Sequence, residues 1–263
     1  FEALKTQNPG SAVDMYNVGI GFNAGQQITT GTHNTIMGGI AGDALTTGQA
    51  NVVIGYAAGS VGDNWSRCVA IGRAALGNHN PSGTTAAVTA NVAIGYDSLT
   101  TCNTGTNNTA IGYQSGQRLQ GGDNNVFVGL QSGDNIVAGD NNVAVGKHSL
   151  HGVAGSLNTA IGESAGVGVT GSTNTLVGAG AGSNGSFSGS GNTFMGRNAG
   201  SAVTSGNNNI FIGNAVGPAS AGQGNGIGLG VSIAAAANDF SFGKSGNVVT
   251  NDFDADANWS RSS

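Results

Sequence analysis

Apolar positions along this chain recur in a short phrase, N-[TV]-x-[IV]-G. Its closing glycines are Gly21, Gly38, Gly55, Gly72, Gly95, Gly112, Gly129, Gly146, Gly162, Gly178, Gly196, Gly213, Gly230 and Gly243. Most steps are 17 residues; the step from Gly72 to Gly95 is 23 and the last is 13. Fourteen copies in near-constant register are the signature of a repeat architecture in which each copy is one structural unit.

Aligned on that glycine, each column acquires a physical meaning. The residue just before it is apolar throughout, as in Ile20, Met37, Ile54, Ile212 and Phe242, and two residues earlier stand Val18, Thr35, Val52, Val69, Val92 and Thr109. Apolar, largely β-branched residues two apart predict a short strand with this pair on its buried face. Asn opens the strand in eleven copies, where its tolerance of unusual backbone angles suits a corner; Cys68, Gly226 and Asp239 are the exceptions. Three residues after the glycine the column is small: Ala24, Ala58, Ser98 and Ser115 are examples. The next column is Gly or Leu. The seventh is apolar, with Ile28, Leu45, Cys102, Leu119, Ile136, Val153, Val169 and Val203, and a second glycine follows near the tenth. The unit reads as strand, tight corner, short return strand and turn.

A 17-residue circuit at about 3.3 Å per residue is roughly 56 Å around, so it encloses one narrow stack of side chains. Successive coils would stack at about 4.8 Å, and thirteen steps give on the order of 60 Å. The expected fold is all-β, a parallel β-solenoid or β-roll of about fourteen 17-residue coils. So thin a unit buries little apolar area, and a homotrimeric fibre is the natural remedy. The expected organisation is a lead-in over 1–16 from an upstream region, the repeat over 17–243, and a C-terminal segment over 244–263.

Composition narrows the function. Glycine numbers 49 of 263 residues while charged residues make up 8%, yet three prolines and no G-x-y triplet exclude collagen. With 38% apolar residues and little charge, the chain lacks the composition of a disordered tail. Eight Lys and Arg against a net charge of -5 leave no basic surface for nucleic acid. No apolar run approaches the roughly 20 residues that span a membrane. The four histidines fall in different columns without metal-ligand spacing, and the G-G-D-N-N of Gly121 to Asn125 does not recur as a calcium ladder would. No cofactor or metal is expected. Paired carboxylates would have to come from isolated residues such as Asp97 and Glu163, so no enzymatic activity is expected.

Candidate contact residues lie where the chain departs from the repeat. The 23-residue step carries six extra residues near Gly77 to Ala90, including His79 and Asn80, and insertions in repeat proteins map to loops on one face. Asp63 to Arg67 places Trp65 and Arg67 where other copies have small polar residues; an exposed Trp65 could carry a glycan or cover a neighbouring chain. The column after the glycine mixes Tyr56, Tyr96 and Tyr113 with Arg73, Lys147, Glu163 and Arg197, which predicts partial solvation and a possible sugar strip. Cys102, in the apolar seventh column, predicts a buried inert thiol.

N-T-A-I-G-Y-Q-S-G at Asn108 to Gly116 and N-V-A-I-G-Y-D-S-L at Asn91 to Leu99 resemble the head repeats of trimeric autotransporter adhesins, and more closely the repeats of bacteriophage tail fibres. The segment Gly246 to Ser263 resembles the stretch preceding the endosialidase-type intramolecular chaperone of phage tail spikes. That resemblance implies a chaperone that trimerises the fibre and is then released, with Ser263 as the autocleavage terminus. It implies the distal, adhesive part of a phage tail fibre in the virion. The partners would be its own copies, upstream baseplate proteins and a host cell-surface glycan or protein. The alternative is a trimeric adhesin head on a bacterial surface; a polysaccharide-degrading tailspike is the third reading.

Overall fold

The computed structural model describes residues 2–10, 13–81, 87–152 and 155–252. The chain forms two compact units, Phe1–Asn141 and Asn142–Ser263, and no helix occurs among the described residues. In the first unit seven parallel strands pair in the order Val18–Ile20, Thr35–Met37, Val52–Ile54, Val69–Ile71, Val92–Ile94, Thr109–Ile111 and Val126–Val128. The second contains Val143–Val145, Thr159–Ile161, Thr175–Val177, Thr193–Met195, Ile210–Ile212, Ile227–Val231 and Asp239–Lys244, the last also paired antiparallel with Asn247–Asp252. All fourteen copies of the phrase therefore form a strand, and each unit is a parallel β-solenoid.

Register is like on like, with Val52 opposite Val69 and Ile54 opposite Ile71. It survives the 23-residue step, where Val69 faces Val92, so the extra residues leave the coil instead of shifting it. The closing glycine sets this spacing. Gly55 has φ 134°, and a Cβ there would lie 2.5 Å from the carbonyl oxygen of Gly72 in the next coil. Before the first strand, Leu4, Thr6 and Asn8 donate backbone N–H groups to Ala24, Gln26 and Thr29, so part of the lead-in docks on the first coil.

Three expectations are corrected. The side chain that points inward is the middle residue of each strand, such as Ile36, Val53, Ala93, Phe127, Leu176, Phe194 and Phe211, all fully buried. The flanking apolar pair faces outward: Val18 is 47% exposed, Ile20 54% and Met37 41%. Alternation along a three-residue strand leaves no other choice once the middle residue is inside.

The return side is mostly turn, held coil to coil by bonds such as Gly42 N–H to the Ala58 carbonyl at 2.9 Å. Left-handed residues there, Gly59 and Ala57 among them, keep it from extending. Among the described residues short return strands form at Trp65–Ser66 with Ala87–Val88 and at Gly217–Pro218 with Ala234–Ala235, and Val169 and Phe187 form a single bridge.

Asn at the strand start is a buried ladder rather than a corner residue. Asn51 donates N–H and Nδ2–H to Asn34 Oδ1 at 3.0 and 2.9 Å, while Asn34 Nδ2 donates to the Gly48 carbonyl at 2.9 Å. The left-handed corner is one residue earlier, at Asn107, Asn124 and Arg67 among others.

The interior obeys a volume rule across the coil. Where the inward residue is large, the column four after the glycine is Gly: a Cβ at Gly133 would lie 2.5 Å from Phe127 Cγ, and one at Gly182 2.9 Å from Leu176 Cδ2. Where the inward residue is Ala70, Ala93 or Ala144, that column is Leu76, Leu99 or Leu150. Ala110 with Gly116 and Ala160 with Gly166 are both small, and the space goes to large side chains of the adjoining coils, Leu99 and Phe127 within 3 Å of a Cβ at Gly116 and Leu150 and Leu176 within 3.2 Å of one at Gly166. The seventh column is interior as expected, Ile28, Leu45, Leu119 and Ile136 being fully buried; Val153 lies outside the described residues.

Candidate contact surface at the irregular coil

The irregular coil begins with a hole. Its seventh position is Gly62, which has no side chain to fill the interior, and Trp65 three residues later turns inward to fill it. A Cβ at Gly59 would lie 2.6 Å from Trp65 Cζ2, so the Gly59 notch admits the ring. The same exchange occurs at Gly185, where Phe187 is the buried residue.

Trp65 is therefore core, which corrects its reading as an exposed glycan or chain-contact residue. Its Nε1 has no hydrogen-bond partner among the described residues. His79 is corrected likewise: it is fully buried in the seventh column, with Nδ1 2.8 Å from the Cys102 carbonyl and its ring edge-on to Trp65 at 6.2 Å. Loss of water holds this imidazole below its ordinary range, opposed by the bond to Cys102. The Nδ1–H tautomer makes that bond, and neither buried ring can reach a receptor.

Arg67 and Asn80 are exposed. Arg67 sits at the left-handed corner with φ 61° and lines a groove of about 360 Å³ with Gln49, Ala50, Ser66 and Val88. The floor is the short sheet in which Trp65–Ser66 pairs with Ala87–Val88. Ser66 is buried and its Oγ accepts the Gln49 N–H at 2.9 Å. Asn80 is fixed by its N–H to the Asn103 carbonyl at 3.0 Å.

The tyrosines form a separate exposed stack. Tyr96 and Tyr113 lie parallel, 5.2 Å apart with planes 8° from coincidence. Arg73 is set between Tyr56 and Tyr96, its guanidinium 6.0 and 5.2 Å from their ring centres, and it donates to the Tyr96 hydroxyl at 2.9 Å. Tyr56 in turn lies over Gly39. The partial solvation expected of this column holds. Tyr96 is flanked by the Tyr113 ring and the Arg73 guanidinium, whereas Tyr56 and Tyr113 remain 57% and 47% exposed.

Cys68 takes over the ladder from Asn: its N–H donates to Asn51 Oδ1 at 2.9 Å and its Sγ accepts from Asn91 N–H at 3.3 Å, with Thr89 Oγ1 3.0 Å away. Sequence gave no role for it, since a thiol does not read as an amide substitute. Burial pushes the Cys68 thiol up to about 11 and that of Cys102 to about 12. Among the described residues no group of His, Cys, Asp or Glu is placed to hold a metal, and no helix is long and apolar enough to cross a membrane. Ser263 lies outside the described residues. No protein-family model, curated protein or solved structure matches the chain.

Proposed function

We propose that the chain is the adhesive distal part of a phage tail fibre, a homotrimer that attaches the virion to its host. The observation that carries this reading is the outward face of the strands. In the first unit Val18, Ile20, Met37, Ile111 and Val126 stand exposed in two parallel columns, one apolar throughout and one that mixes Val with Thr35 and Thr109. Seven strands about 4.8 Å apart make a strip roughly 30 Å long, a size of apolar surface that marks association. Flat, regular columns suit the same columns of a second and third copy, related by rotation about an axis parallel to the stack. Receptor contact then falls to the exposed side groups, Arg67, Asn80 and the Tyr56 to Tyr113 stack.

Sedimentation of the purified chain at micromolar concentration tests the assembly, and binding of the labelled protein to host cells tests attachment. A trimer that decorates cells is the expected result. Replacing Ile54 and Ile71 by Lys should give monomers, since each would place a charge in the joint. A stable wild-type monomer would overturn the reading.

A further inference from the structure

Most of the described cations in the first unit are already engaged: Lys5 with Glu2, Arg73 with Tyr96 and Asp97, Arg118 with Asn135. Arg67 has no side-chain partner among the described residues, and it is the one that lines the groove with Gln49, Ala50, Ser66 and Val88. Its backbone gives no reason for an arginine. The left-handed corner is best served by Asn, as at Asn107, Asn124 and Asn141, and Arg there is strained by about 1 kcal/mol. The residues above and below it in the same column are Ala50 and Ala90. Two methyl groups leave the guanidinium uncovered, and Ala50 leaves the groove open.

The groove wall supplies what a sugar ring carrying a carboxylate requires. A guanidinium can fork onto a carboxylate with two parallel hydrogen bonds. The Gln49 amide, without a partner among the described residues, suits a ring hydroxyl. Val88 and Ala50 are apolar surfaces for the C–H face of the ring. The volume, about 360 Å³, is at the small end of ligand sites and matches one or two rings. A single cation neutralises a single carboxylate, whereas a polyphosphate calls for several. The floor is held from beneath by Trp65, seated over Gly59, so the groove is formed before a ligand arrives.

We propose that the groove beside Arg67 binds a carboxylate-bearing sugar residue of a surface polysaccharide; this rests on the adhesive reading above. The carboxylate could belong to a uronic acid or to a sialic acid, and both are probed. The purified chain is titrated by calorimetry with trigalacturonate and with sialyllactose, beside neutral galactotriose and lactose. Expected are millimolar binding of at least one acidic sugar, weakening as salt rises, and none of the neutral ones. Arg67→Asn, which suits the corner and keeps the fold, should weaken binding at least tenfold, and Ala50→Leu should do the same with Arg67 in place. Arg197→Gln should bind as the unaltered chain does. Equal binding of neutral sugars, no binding of either acidic one, or unchanged binding by Arg67→Asn would overturn the proposal. Cell attachment that persists in Arg67→Asn would sink it while leaving the fibre reading intact. Acidic-sugar binding by a chain that neither trimerises nor attaches to cells would fail the fibre reading alone.

Discussion

An amide that gives and receives along the stack is hard to replace. Asn108 accepts the Asn125 N–H at 2.9 Å and donates to the Gly122 carbonyl at 2.7 Å, all in a fully buried column. Asn108→Ala would orphan both, at about 1–3 kcal/mol for each group, and thermal or denaturant unfolding should register the loss. Cys68 and Cys102, with thiols held far above neutral pH, should resist iodoacetamide at pH 8 until the chain is unfolded, as mass spectrometry of the alkylated protein would show. His79 supplies a pH dependence. Its folded pKa is depressed, so below about 6.5 the unfolded chain takes up a proton that the folded one refuses, and stability falls with acidification through that window. Asp43, raised by burial, works in the opposite sense at lower pH. The groups facing the imidazole are the Trp65 ring, the Asn91 amide and the Cys102 carbonyl, none of them charged. His79→Leu, the chemistry of Leu45 and Leu119 in that column, should therefore lose less melting temperature between pH 7.5 and pH 5 than the unaltered chain. At this scale the sequence showed where Asn recurs without showing why, because a corner and a ladder call for the same residue.

Within a coil, packing is set by a pair of positions rather than by either one. Ala93 and Leu99 are small and large in the reverse order of Phe127 and Gly133. Ala93→Phe alone should overpack the coil by about 1–3 kcal/mol. Adding Leu99→Gly should recover part of that loss, and a double-mutant cycle on melting or unfolding rate measures the coupling. Independent effects would show that the two side chains do not share one space. The repeat length, the small third column and the interior seventh column were all legible from recurrence alone. The inward column was not, because Ala70, Ala93 and Ala110 look featureless beside the β-branched residues that flank them. A search for compensation, Gly against large and Leu against Ala, carries the missing signal. The same logic would have placed Trp65, since Gly62 removes the side chain that its neighbours Leu45 and His79 put inside.

Over the molecule as a whole, nearly every coil repeats the backbone of the last, so the danger in folding is pairing with the wrong copy. The volume rule opposes such slips, because Phe127 needs Gly133 across its own coil and the small Ala110 and Gly116 of the coil before it, and a slipped neighbour carrying Leu there would clash. Correct assembly should still be slow, and heat resistance of the assembled protein should exceed its capacity to refold; recovery of native oligomer after dilution from guanidinium measures this. The Asn ladder adds a direction to that process. In both units the accepting oxygen belongs to the earlier coil and the donating N–H to the later one, as in Asn91 to Asn108 and Asn158 to Asn174. A ribosome releases the earlier coil first. Each finished coil thus leaves the tunnel with an empty side-chain acceptor turned toward the segment still being made, while backbone donors such as Gly42 N–H await the carbonyl of the coil that follows.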